Sequence, residues 1–193
     1  MNVNIDHQKI FETPLFEIKI DDIDNEELAK NIYKLKQRDK GEIKSNFGGW
    51  HSTCNPENID ICFKPFISKL GGILPKLPFN PPIKKVISID IWANINPKGS
   101  YNTTHNHPGC DLSGVYYVKV PKGDCGNINF LDPRPALNFG NSFIVQRYVG
   151  GDSIPRYPVE GNMYLFPSSL SHDVSTNKID EDRISISFNL NLR

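Results

Sequence analysis

From Val86 to Leu192 the chain is written as short runs of β-branched and aromatic residues, each closed by proline, glycine or asparagine. The last run is the clearest. Across Arg183 to Leu192, Ile184, Ile186, Phe188 and Leu190 alternate with Ser185, Ser187, Asn189 and Asn191, the period of two expected of a strand with one apolar face. Val86 to Ile95 alternates in the same way. Ser113 to Val120 is rich in β-branched and aromatic residues. Asn127 to Leu131 is closed by Asp132-Pro133-Arg134-Pro135, and Met163 to Phe166 stops at Pro167. Weaker strand signals lie at Phe143 to Val149 and Arg156 to Val159. Strands this short and this well punctuated predict an all-β sandwich or barrel.

The N-terminal part has a different texture. Leu15 to Ile20 alternates like a strand. Asp24 then opens a helix: its carboxylate can cap, and Glu27 completes the pattern. Leu28, Ile32 and Leu35 follow on one face. Ser45 to Ser52 reads as a loop around Gly48-Gly49, and a lone His51 beside Trp50 is read as structural. Ile59, Phe63, Phe66, Ile67 and Leu70 predict a second helix ended by Gly71-Gly72, with Pro65 disturbing its first half. Pro75, Pro78, Pro81 and Pro82 form a connector. The expected class is therefore α+β, mainly β, as one domain over residues 1–193. Residues 1–82 give a helical support and 83–193 a β core.

Lys plus Arg equals Asp plus Glu at 22 each. A neutral chain is a poor fit to bulk nucleic acid, whose partners are basic. Cys54, Cys62, Cys110 and Cys125 show neither CxxC nor zinc-finger spacing, which predicts reduced thiols. No apolar run approaches the roughly 18 residues of a membrane span, and no signal-peptide core is visible. The expectation is a soluble, cytoplasmic protein without membrane partners.

Asn102-Thr103-Thr104-His105-Asn106-His107-Pro108 carries the chemistry. Residues i and i+2 of extended chain point to one side, so His105 and His107 can aim at one metal, with His172 as a distant third ligand. Arg183 follows eleven residues later, with Ser185 on the same side of its strand. Read alone, His-x-His could be a solvated turn, and Arg183 could pair with Glu181 or Asp182 at the surface.

Taken in order, several pieces resemble the Fe(II)/2-oxoglutarate-dependent dioxygenase superfamily, and closely the 2OG-Fe(II) oxygenases of phage and bacterial type. They are Asn46 to Trp50, Asn102 to Pro108, Ser113 to Val118, Phe130 to Arg134, Gly161 to His172 and Arg183 to Asn189. The resemblance implies a double-stranded β-helix (a jelly roll, cupin-like) with the N-terminal helices packed on it. It implies Fe(II), 2-oxoglutarate and O₂, and hydroxylation of an unidentified substrate with release of succinate and CO₂. Arg183 and Ser185 would bind 2-oxoglutarate, with Asn102 and whichever of Tyr116 and Tyr117 points inward. The Gly48-Gly49-Trp50 loop would belong to a lid or substrate mouth, and the sheet edges allow a homodimer.

One position departs from the pattern. The superfamily has His-x-Asp or His-x-Glu where this chain has His105-x-His107. Three arrangements stay open: a face of His105, His107 and His172; His107 with Asp111 as the carboxylate; or only two histidine ligands. The departure also leaves room for two other functions. One is a non-catalytic jelly-roll module; the other is a three-histidine cupin-type metalloenzyme that does not use 2-oxoglutarate.

Overall fold

A computed structural model describes residues 3–6, 12–134 and 153–193. Strand β1 (Phe16–Lys19) leads into α1 (Asn25–Arg38). The Asp24 carboxylate accepts from the Glu27 N–H at 2.9 Å, and Leu28, Ile32 and Leu35 form the buried face of α1, as their spacing requires. Two-residue strands β2 (Asn46–Phe47) and β3 (Trp50–His51) flank the Gly48-Gly49 turn where a plain loop is expected.

The second helix begins earlier and ends later than its sequence pattern suggests. It starts as α2 (Pro56–Asn58), capped by Asn55, and widens into a π-helical turn at Ile59–Phe63. It then continues as α3 (Lys64–Ile73) before a 3₁₀ turn at Leu74–Lys76. Pro65 cannot donate to the preceding turn, and the wide turn before it accommodates that loss. Gly71 and Gly72 do not end the helix; they lie on its exposed side with nothing within 4 Å of where a Cβ would sit.

The remaining strands are β4 (Val86–Asn96), β5 (Tyr101–His105), β6 (Leu112–Lys119), β7 (Ile128–Leu131), β8 (Ser153–Arg156), β9 (Asn162–Pro167), β10 (His172–Val174) and β11 (Arg183–Leu192). The strand signal at Phe143 to Val149 lies outside the described residues. All pairings are antiparallel: one sheet runs β1-β9-β6-β11-β4-β3, the other β2-β5-β10-β7-β8. The result is a jelly roll, mainly β, with helices on one side.

The six-stranded sheet has two different faces. Its outer face packs Ala93, Ile95, Tyr116, Ile186 and Phe188 against Leu28, Ile32, Phe63, Phe66 and Leu70 of the helices. Gly114 lets β6 pass under Phe188, since a Cβ there would lie 2.3 Å from the ring. Its inner face meets the second sheet through Val115, Tyr117, Tyr164 and Phe166 packed with Ile128 and Phe130. The polar positions of β4 and β11 also point inward, and between the sheets they enclose a cavity of about 560 Å³.

Candidate active site

Strand register builds the histidine cluster. His105, at the end of β5, is the cross-strand partner of His172, at the start of β10. Directly opposed residues bring their side chains together, and these ring centroids are 4.3 Å apart. His107 lies just past β5, where its N–H donates to the Ser168 carbonyl at 2.9 Å. Its ring is 5.1 Å from His105 and 5.3 Å from His172. One nitrogen from each ring can be chosen so that all three lie within 4.8 Å of one another.

Hydrogen bonds decide which nitrogens are free. A carbonyl only accepts, so His105 Nδ1–H donates to Thr103 O at 2.7 Å and His172 Nδ1–H donates to Leu170 O at 2.9 Å. That leaves the proton off Nε2 of each, with its lone pair free in His172 and met only by the Ser45 hydroxyl at 3.4 Å in His105, so both can turn to a metal. His107 is held differently, by Asn189, whose Nδ2 is 3.4 Å from Nδ1 and whose Oδ1 accepts from Ser113 Oγ at 2.8 Å. Burial pushes His172 down to about 3 and His107 to about 4, helped by neighbouring imidazoles, and it lowers His105 as well. At neutral pH all three are uncharged donors, a set able to hold one metal ion.

Arg183 lies elsewhere in the same cavity and is 2 % exposed. Its Nη1 donates to the carbonyls of Cys125 at 2.6 Å and Gly126 at 2.9 Å. It has no carboxylate partner among the described residues: Glu181 pairs with Lys119, and Asp182 accepts from Tyr33. A buried charge left in this state is costly unless an anion joins it. Ser185, one rung along β11, is buried and also faces the cavity.

The two tyrosines separate as alternation demands. Tyr117 lines the cavity. Tyr116 turns to the outer face, rests against Phe66 and donates to Asn25 Oδ1 at 2.8 Å, so the expectation that admitted it as a 2-oxoglutarate contact is corrected. Asn102 lines the cavity and donates to Ser45 Oγ at 3.1 Å, and that hydroxyl is 3.4 Å from His105 Nε2.

Asp111 is corrected too. It is exposed, and its carboxylate accepts from the Leu192 N–H at 2.7 Å, tied to the far end of β11. No carboxylate joins the three histidines within ligand reach among the described residues. Trp50 also turns away from the mouth, donating to Asp39 O at 3.0 Å.

Other cavity residues escaped the sequence reading. His51 is buried and stacks on Trp92, with centroids 5.1 Å apart, and Trp92 lies 5.8 Å from His107. Asp90, Trp92, Asn94 and Asn96 of β4 face inward beside Ser187 and Asn189 of β11. The available signal was composition: apart from Asp90 and Trp92, these alternate positions carry amides and hydroxyls, not the Lys and Glu of a solvated face.

A family model described as "Putative 2OG-Fe(II) oxygenase" matches residues 90–189, just over half of the chain. No curated protein matches the sequence. Among solved structures, a Pseudomonas putida prolyl-4-hydroxylase is similar at 12% identity and TM-score 0.64, over 94% of each chain. HygX from Streptomyces hygroscopicus, solved with nickel and 2-oxoglutarate, is similar at 11% identity and TM-score 0.60, over 93% of this chain and 83% of that one. The viral collagen prolyl hydroxylase of Paramecium Bursaria Chlorella virus-1, a 2OG complex, shows 17% identity and TM-score 0.54, over 90% and 94%. At these identities the likeness establishes the fold.

Proposed function

This chain belongs to the 2OG-Fe(II) oxygenase family, and from that premise we propose that it is an Fe(II)- and 2-oxoglutarate-dependent dioxygenase. It oxidises a C–H bond of its substrate and releases succinate and CO₂. The observation that carries the reading is one cavity holding a cluster of three neutral imidazoles and a buried guanidinium that has no counter-ion among the described residues.

The residues fit both groups. His105, His107 and His172 supply three nitrogen donors that would hold iron on one side and leave the others open. Arg183 is a fixed cation in an otherwise uncharged part of the wall, suited to the distal carboxylate of 2-oxoglutarate. Bound iron and cosubstrate supply oxygen activation coupled to decarboxylation.

The chain's own residues do the positioning. The Cys125 and Gly126 carbonyls fix the Arg183 fork. The Ser185 and Tyr117 hydroxyls and the Asn102 amide add hydrogen bonds around the cosubstrate. Thr103 and Leu170 hold the protons on Nδ1 of their histidines. Phe166 covers one side of His172, with centroids 4.9 Å apart, and Val115, Ile128 and Val174 keep that part of the cavity dry. Cys54, Cys62, Cys110 and Cys125 are all free, in keeping with a reducing, cytoplasmic setting.

The test is Fe(II)-dependent turnover of 2-oxoglutarate labelled at C1. Labelled CO₂ and equimolar succinate should appear with the purified protein and vanish in His172→Ala. Stoichiometric iron and 2-oxoglutarate bound in air with no decarboxylation would instead favour a non-catalytic module. A three-histidine enzyme that ignores 2-oxoglutarate would leave Arg183 a buried charge with nothing to offset it. Arg183→Ala losing 2-oxoglutarate while keeping metal rejects that reading.

A further inference from the structure

The described residues place no negative charge at the three histidines. Asp111, the nearest candidate in sequence, is bound to the Leu192 N–H. Asp173 acts on His105 only from a distance, and its two oxygens accept from Asn129 and Thr104. The acidic groups that line the cavity are Glu42, which pairs with Lys44 at 3.1 Å, and the exposed Asp90. Neither carboxylate pairs with Arg183, but in number they equal Lys44 and Arg183, so the cavity's Asp, Glu, Lys and Arg side chains sum to zero formal charge.

A divalent ion on the histidines would therefore bring two charges that the protein does not answer. It would also share the cavity with the buried Arg183. The 2-oxoglutarate dianion carries the two missing charges, and it can touch both the metal and the guanidinium.

We propose that metal and 2-oxoglutarate enter this site as a coupled pair, because His107 stands where a ligand carboxylate would otherwise neutralise the metal. The protein alone holds the metal weakly. The dianion raises metal affinity, and by thermodynamic reciprocity the metal raises 2-oxoglutarate affinity by the same factor. Capture of iron then follows the supply of cosubstrate. This inference rests on the proposed oxygenase reading and concerns binding, not turnover.

The test is calorimetric titration of Mn(II), anaerobic and without substrate, into wild type and His107→Asp, each with and without saturating 2-oxoglutarate. In wild type the cosubstrate should tighten Mn(II) binding by about 10–100-fold, within the usual range of coupling between sites. In His107→Asp, Mn(II) should bind more tightly without cosubstrate, and the coupling factor should shrink several-fold. Succinate, a dianion without the keto group, should tighten Mn(II) binding measurably though less than 2-oxoglutarate, and no tightening by succinate would remove charge as the cause of the coupling.

Independent binding of metal and cosubstrate in wild type overturns the coupling but leaves the oxygenase reading standing. Failure of wild type to bind either one removes that reading, and the proposal with it. Should His107→Asp fail to fold, the wild-type coupling factor still decides, because a value near one refutes the proposal by itself.

Discussion

Arg183 Nη1 donates to the Gly126 carbonyl at 2.9 Å, and Gly126 holds a φ of +87° to present it. A Cβ on Gly126 would lie 2.8 Å from that same Nη1 and 2.1 Å from the Ser175 carbonyl oxygen. Gly126→Ala should therefore cost about 1–3 kcal/mol from the backbone conformation alone, and more from the clash. It should also weaken 2-oxoglutarate binding by displacing Arg183 while leaving metal affinity in the absence of cosubstrate intact. Chemical denaturation and paired titrations of metal and cosubstrate check both parts.

The adjacent tyrosines should part company on substitution. Tyr116→Phe removes a hydrogen bond to Asn25 on the outer face and should cost about 1 kcal/mol of stability with no change in cosubstrate affinity. Tyr117→Phe removes a hydroxyl from the cavity wall and should weaken 2-oxoglutarate binding several-fold. Equal cosubstrate affinity in both variants would remove Tyr117 from the site.

Gly114 tests the outer face. A Cβ there meets three atoms of the Phe188 ring at 2.3–2.9 Å, in a region already filled by Phe66 and Tyr116. Gly114→Ala should destabilise by about 1–3 kcal/mol through overpacking, read as a lowered denaturation midpoint.

The histidines give the metal-free protein an acid-sensitive window. Burial lowers His172 to about 3 and His107 to about 4 from an ordinary 6.5, and it lowers His105 and His51 as well. Below pH 6.5 the unfolded chain takes up protons that the folded chain refuses, so folding stability falls with pH. That contribution is complete above about pH 6.5 and is lost as pH drops through 4 and then 3. The hydrogen-bonded carboxylates of Asp39 and Asp132, held below their ordinary 3.8, contribute only near and below pH 4. Tm of the metal-free protein should fall from pH 7 to pH 4, and less steeply in His172→Gln. A flat profile would contradict the buried cluster.

Much of this arrangement was legible before folding, because strand periodicity fixes which residues share a face. The alternation over Arg183–Leu192 puts Arg183 and Ser185 on one side, and both line the cavity. The same alternation carries Ser187 and Asn189 inward, although a run of serines and asparagines opposite isoleucines resembles a half-exposed strand. Long-range pairing was not legible. Nothing local announces that His51 joins the edge of β4 opposite Asn94, which is what turns a lone loop histidine into a wall of the cavity. The helix around Pro65 runs past both ends of its sequence pattern because a π-helical turn admits the proline, and because Gly71-Gly72 can stay helical when nothing packs on them.

The central claim is that one cavity binds iron through His105, His107 and His172 and 2-oxoglutarate through Arg183. Anaerobic visible spectroscopy of the Fe(II) protein titrated with 2-oxoglutarate tests it most directly. A metal-to-ligand charge-transfer band should appear and saturate with cosubstrate, be lost in His172→Ala, and need far more 2-oxoglutarate in Arg183→Ala. Stoichiometric Fe(II) with no such band at any 2-oxoglutarate concentration would contradict it.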